Sequence, residues 1–172
     1  MILLVSGALN MTPTTASTPA PELTPEQNQQ LQKHKQFPEQ ILRNALRTPD
    51  GTVLMSKHVH DFVKHKDKLL DTEVGIDGGL AYLRRIGSLA FCVDLSVTTK
   101  DDFEVVREVF TWGSYGKDGK QPRTEVKLKD MTTEHIQAIL DTQRHIRGTV
   151  VQQLFKQELL YRSFQQAKDN VL

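Results

Sequence analysis

The chain has 172 residues, with 22 Lys plus Arg against 21 Asp plus Glu and a single cysteine. That length fits one domain with enough chain to bury a sizeable core. One cysteine excludes an internal disulfide framework. A formal charge of +1 excludes a surface built to neutralise many DNA phosphates, while leaving room for a local basic pocket.

Residues 1–40 read as a mobile arm. Residues 1–9 are apolar, but far short of the roughly 20 that a membrane span needs. No basic residue precedes them, so a secretory signal is not expected either. Met11 offers an alternative start of translation. Pro13, Pro19, Pro21, Pro25 and Pro38 remove backbone donors and restrict their neighbours, which argues against long regular elements. Thr24 and Pro25 suit an N-cap and a first helical position. The helix they would open has only Leu31 as an apolar contact, so it is expected to fray.

Residues 41–172 read as one α+β domain. Thr48-Pro49-Asp50-Gly51 is a turn signal, and the β-branched residues on its far side favour a β-hairpin over 41–65. Residues 66–73 are charged and read as a loop. Val74 to Asp77 forms a short strand running into Gly78-Gly79. Residues 80–86 are too short for periodicity to choose between strand and helical turn. Residues 90–98 alternate, with Phe91, Val93, Leu95 and Val97 on one face, and predict a continuous strand. Cys92 is expected to be a small apolar filler on the other face.

Thr99 or Asp101 suits a cap for a helix reaching about Thr111, with Phe103, Val106 and Phe110 on its buried side. Residues 112–119 hold three glycines and two aromatics, which predicts a shaped loop. Glu125 to Leu128 reads as a last strand. Thr132 or Thr133 then caps a helix carrying Ile136, Ile139 and Leu140. Beyond Gly148, a helix bears Val150, Val151, Leu154, Phe155, Leu159 and Phe164 on one face. Strands first and helices last define a small antiparallel sheet followed by C-terminal helices. Tyr161 and Phe164 widen the last apolar stripe, so these helices are expected to mediate a homo-oligomer, a dimer or higher.

His58-Val59-His60 places two imidazoles on one face of a strand, where a metal would need a third ligand from His65, His135 or Asp61. A polar strand face explains the same residues, and no metal is expected. No phosphate loop, dinucleotide fingerprint, zinc-protease motif or nucleophile elbow is present. Catalysis is therefore not expected, and no cofactor is implied.

Arginine is more informative. Arg84-Arg85 sits between apolar neighbours, and guanidinium forks match phosphate oxygens. Arg144 and Arg147 flank the helix junction, where free backbone donors also suit an anion. Phe110, Trp112 and Tyr115 supply aromatic faces nearby, and Asp118 supplies a carboxylate for ribose hydroxyls. Together these suit a nucleotide.

The residues that carry this pattern also carry a resemblance. They are Leu46-Arg-Thr-Pro-Asp-Gly-Thr-Val-Leu, Ser56-Lys-His-Val-His-Asp-Phe-Val, Asp77-Gly-Gly-Leu-Ala-Tyr-Leu-Arg-Arg and Phe110-Thr-Trp-Gly-Ser-Tyr-Gly-Lys-Asp-Gly-Lys-Gln-Pro. Leu128-Lys-Asp-Met, His135-Ile, Glu158-Leu and Tyr161-Arg follow. In order and spacing, about 46–162 resembles the first-described type of phage-encoded Thoeris anti-defence sponge proteins. The resemblance implies a cytoplasmic protein of the infected bacterial cell. It implies non-catalytic sequestration of a cyclic ADP-ribose isomer, with cyclic oligonucleotides as further ligands, and so a block on anti-phage defence. The implied pocket lies at a subunit junction, with Lys57, Arg84 or Arg85, Phe110 and Asp118 at matching positions. Val59 stands where the pattern usually has arginine. With Trp112, Arg144 and Arg147, these form the expected ligand-binding set. A nucleotide-modifying enzyme and a protein–protein inhibitor of a host factor are the alternatives.

Overall fold

The computed structural model describes residues 23–116 and 118–169. Met11, the apolar residues 1–9 and most of the prolines of the expected arm therefore lie outside the described residues. No helix among the described residues is long and apolar enough to cross a membrane.

The fold is α+β, with three antiparallel sheets and four α-helices among the described residues. Strand β1 (Ile41–Arg47) pairs with β2 (Val53–Ser56) across the Thr48 to Thr52 turn. Gly51 sits in that turn at φ 87°, a conformation that a side chain would strain. The expected hairpin ends at Ser56. Strand β3 (Val63–Lys66) leaves it to pair with β4 (Glu73–Asp77), which pairs with β5 (Arg84–Gly87).

The strand expected over 90–98 is broken. Phe91 adopts φ 61° in a turn closed by the Cys92 N–H on the Leu89 carbonyl, and its side chain is 82% exposed. Only β6 (Val93–Asp94) and β7 (Val97–Thr98) remain, both paired to β1. Between them the Asp94 carboxylate accepts the Ser96 N–H at 2.9 Å, a local bond that competes with ladder pairing.

Helix α2 (Phe103–Val109) is followed by β8 (Thr111–Ser114) and β9 (Thr124–Lys127), which pair with each other. Trp112 thus lies in a strand, where a loop was expected. Gly113 lies under the Arg123 side chain, whose exposed guanidinium crosses it. Thr132 caps α3 (Thr133–Thr142) by accepting the His135 N–H. A short 3-10 turn then leads to α4 (Val150–Asp169).

Residues 23–40 are a correction to the expected arm. Helix α1 (Pro25–Leu31) carries a capping box between Thr24 and Gln27, and both Leu31 and His34 are fully buried. The Gln157 side-chain amide donates to the Leu31 carbonyl and lies 3.0 Å from His34 Nδ1, while His34 Nε2 meets the Asp101 carbonyl at 2.9 Å. A polar segment is ordered here because polar partners far along the chain satisfy it.

Two cores result. The helical core joins Leu31, Phe103, Val106, Leu128, Ile136, Leu154 and Phe155 with their neighbours. The sheet core is small, built from Leu46, Leu54, Val74 and Ile76 with Val63 and Cys92 against it. The filler reading of Cys92 agrees with this position. The C-terminal helix is less simple than its stripe suggests. Glu158 is fully buried, held by both arms of the Arg107 guanidinium at 2.8 and 2.6 Å and by Arg162 at 2.9 Å. Leu159, Leu160, Tyr161 and Phe164 pack on their own core, so the residues invoked for self-association are partly spent within the protomer.

Candidate functional site

The expected ligand set does not converge. Phe110 is core, 8% exposed and edge-on to Phe155 at 5.9 Å. Trp112 is stacked on His145 at 6.3 Å and packed edge-on against Phe155 at 5.4 Å. Neither aromatic is free to hold a base. Arg144 and Arg147 are exposed. Beside them the Gly148 N–H donates to Gln152 Oε1, so one donor of the expected anion site is already taken. Asp118 is exposed in the turn between β8 and β9.

Arg85 binds protein rather than ligand. Its guanidinium donates to Asn44 Oδ1 at 2.8 Å, Ser96 Oγ at 2.6 Å and Asp94 Oδ1 at 3.2 Å. It thereby ties β5 to β1 and to the segment between β6 and β7. Arg84 stays in solvent, its side chain 63% exposed and 3.9 Å from Asp77.

Lys57 is the expected residue that lines a groove. It is the narrower of two neighbouring clefts along the start of β1, a narrow and a wide lobe that have only Leu80 in common. The narrow lobe, about 150 Å³, is lined by Arg43, Asn44, Met55 and Lys57 among others. The wide lobe, about 600 Å³, is lined by Glu39, Ile41, Ala81, Leu83 and Thr98 among others. Among the described residues, neither Arg43 nor Lys57 forms an ion pair with a carboxylate, although the Arg43 Nε donates to the Leu95 carbonyl at 2.6 Å. Two like charges lining one cleft repel each other, and an anion between them removes that cost. Sequence reading missed Arg43 and Leu80, whose spacing from Lys57 carries no local signal.

The turn over the groove is firmly built. Gly78 and Gly79 take φ 104° and 53°, and a Cβ on Gly79 would meet the His58 backbone at 2.4 Å. The Gly79 N–H donates to Ser56 Oγ at 2.9 Å, and that hydroxyl donates to the Asp61 carbonyl at 2.8 Å. Asn44, fully buried, donates to the Asp77 carbonyl at 2.9 Å and the Tyr82 carbonyl at 3.3 Å. Burial and the hydrogen bond to Asp77 both push the Tyr82 hydroxyl above its usual pKa, so it stays a donor. The wall carrying Leu80 and Leu83 is thus positioned before any ligand arrives.

A second cluster lies at the sheet end. Asp50, His65 and Asp67 bring ligand-type atoms within 4.8 Å of one another, whereas His58 and His60 are exposed in the turn after β2. Asp50 Oδ2 accepts from His65 Nε2 at 2.7 Å and from the Lys68 N–H at 3.0 Å. Its other oxygen accepts the Thr48 hydroxyl at 2.7 Å and the Thr52 N–H at 3.0 Å. The Thr48 hydroxyl, then His65 and the backbone donors, hold Asp50 far below the usual carboxylate range. Asp67 is fully buried, which alone would raise its pKa. The N–H groups of Asp50, Leu70 and Leu69 outweigh that and hold it low. With these lone pairs already used, the cluster is a clasp joining the 48–52 turn to the 67–72 turn. Burial and the Asp67 charge push the Cys92 thiol up, away from the thiolate that a nucleophile needs.

Another cleft, about 520 Å³, lies between the end of β8 and α3, lined by Ser114, Gly116, Thr132, Glu134, His135 and Ala138. Among the described residues its lining includes a carboxylate, Glu134, and the imidazole of His135. No family model, curated protein or solved structure matches the chain.

Proposed function

We propose that the chain is a non-catalytic binding protein that sequesters a small phosphate-bearing signal in the β1 groove. The cyclic ADP-ribose isomer implied by the resemblance is the ligand we assign. The observation that carries this reading is two cations without a carboxylate partner, Lys57 and Arg43 (whose Nε donates to the Leu95 carbonyl, leaving its other nitrogens), beside an apolar wall held in place by the Gly78-Gly79 turn. Phosphate oxygens take charge-assisted hydrogen bonds from both cations. Leu80, Leu83 and Ile41 cover the less polar part of the ligand. The hydroxyls that line the two lobes are used within the fold: Ser56 is held between the Asp61 carbonyl and the Gly79 N–H, and Thr98 accepts the Lys100 N–H and reaches Asp101 Oδ2 at 3.4 Å. Both being engaged favours retention over turnover.

The test is incubation with a cyclic ADP-ribose isomer, removal of free ligand, heat denaturation and mass spectrometry of what is released. Intact ligand at near-stoichiometric yield is expected, and Arg43→Glu with Lys57→Glu should lower affinity at least about tenfold. Linear or cleaved product, or no retained ligand, overturns the reading. Mass measurement of the complex in the same experiment tests the accompanying proposal that the protein binds as a homo-oligomer.

A further inference from the structure

Large apolar side chains are exposed unevenly. Among the described residues the helical half leaves only Val105 and Tyr115 well exposed, and the rest fall within residues 53–93. Val53, Leu69, Leu70, Leu89, Phe91 and Val93 collect at one end of the sheets, on or beside three turns. The 48–52 and 67–72 turns are joined there, the Asp50 N–H donating to Asp67 Oδ2 at 2.9 Å and the Lys68 N–H to Asp50 Oδ2 at 3.0 Å. The 89–92 turn reaches the same end, because Gly87 before it pairs with Val74 and Val93 after it pairs with Arg47. Scattered exposed side chains are ordinary, but a cluster marks a contact surface.

The turns hold these side chains outward. The Leu69 and Leu70 N–H groups both donate to Asp67 Oδ1 at 2.9 Å, which fixes the backbone that presents them, and Leu69 is 70% exposed. Two non-glycine residues among those described have positive φ, Asp71 at 51° and Phe91 at 61°, one in each of these turns. Phe91 keeps that strained backbone with its ring in solvent, so the strain is not offset by packing. Leu69, Leu70, Leu89 and Phe91 line none of the clefts described above, so the patch is a set of projections. A rigid partner needs matching hollows for projections, whereas a lipid surface yields around them.

Cations flank the projections. Arg47 stands between Val53 and Val93 across paired strands, and Lys68 precedes Leu69. Both are exposed, and among the described residues neither has an ion-pair partner. The acids of this end are answered within the fold. Asp50 and Asp67 accept hydrogen bonds in the clasp, Asp71 pairs with Lys66, Glu73 with Lys64 and Asp94 with Arg85. A second copy seated on this patch would add two more cations and no unpaired acid.

We infer that this end of the sheets docks on an anionic lipid surface. Phe91 and Leu69 enter the boundary between headgroups and acyl chains, while Arg47 and Lys68 meet lipid phosphates. The patch lies at the Arg47 end of β1 and the wide lobe at the Ile41 end, so docking leaves that lobe open.

The test is co-sedimentation of the full chain with vesicles of phosphatidylcholine alone and of phosphatidylcholine mixed with phosphatidylglycerol. Binding to the mixed vesicles should be about tenfold tighter and should weaken with added salt. Phe91→Gly with Leu69→Ser should weaken it at least about tenfold without lowering the melting temperature. Arg47→Gln with Lys68→Gln should cut the preference for phosphatidylglycerol to about twofold or less. Absence of vesicle binding, equal binding to both vesicles, or binding that ignores the Phe91 and Leu69 substitutions overturns the proposal. A solution dimer that those substitutions dissociate, with no vesicle binding, assigns the patch to a second copy instead.

Discussion

The helical and sheet halves of the molecule are held together by different forces. The helical half buries Phe103, Phe155, Leu128, Ile136, Leu154 and other large side chains in one continuous core. The sheet half buries only Leu46, Leu54, Val74 and Ile76, and adds polar clasps: Asp50 with His65, Asp67 on backbone donors, and Arg85 with Asn44. The helical half sets its buried ionic network, Glu158 with Arg107 and Arg162, inside that large apolar core. The half that carries the groove has a smaller apolar core and so leans more heavily on its carboxylate clasps.

The largest effect is expected in the helical half. Phe155→Ala removes a fully buried ring that touches both Phe110 and Trp112, and should cost about 3–5 kcal/mol in denaturant unfolding. Glu158→Ala leaves Arg107 and Arg162 facing each other without their shared carboxylate. Its cost should be about 3 kcal/mol or more, with Arg107→Ala milder because Arg162 still pairs with Glu158. A Glu158→Ala protein with unchanged stability would contradict a network role for that residue.

The sheet half should fail first in acid. Asp50, Asp67 and Asp94 all titrate below their usual values in the fold, Asp94 because Ser96 and Arg85 outweigh its burial. Below the unfolded-state carboxylate pKa, near 4, the unfolded chain binds more protons than the folded one. Stability from these groups is full above that pH and is lost progressively as pH falls from there through their lowered folded-state values. As pH falls toward 3, protection against hydrogen exchange, measured relative to the unfolded chain at the same pH, should therefore drop in β3 and β4 before α3 and α4. The depressed acids of the helical half, Asp102 and Glu108, have side chains 69% and 48% exposed and form surface pairs, which contribute little. Simultaneous loss of protection in both halves would remove the distinction.

A smaller effect of opposite sign is expected at Phe91. Its positive φ strains any residue with a Cβ, and its exposed ring contributes little packing. Phe91→Gly should raise stability by up to about 1 kcal/mol in thermal melts.

Legibility in the sequence followed the same division. The helix caps at Thr24 and Thr132 and the stripes of α2 and α3 are local signals, and the structure contains them. The order of α1 and its neighbouring turn depends on Gln157, 123 residues away from His34, which no window of sequence reveals. The strand expected over 90–98 failed because side chains at 94 and 96 bond locally, and alternation alone does not register that. Arg85 looked like a ligand residue because its type suits phosphate, but its partners Asn44, Asp94 and Ser96 come from other strands. Lys57 entered only through the resemblance, as a basic residue expected on the second strand, and lies one residue past the end of β2. Its companion Arg43 became visible only once β1 and β2 were paired.

The stacking of Trp112 on His145 has a practical consequence. The chain has one tryptophan, and it sits wholly within the helical half, between an imidazole and the Phe155 ring. Its fluorescence is a one-sided gauge. Emission would report melting around β8 and α4 and stay silent while the groove half frays, so an optical melt could look intact in a protein that has already lost its binding surface.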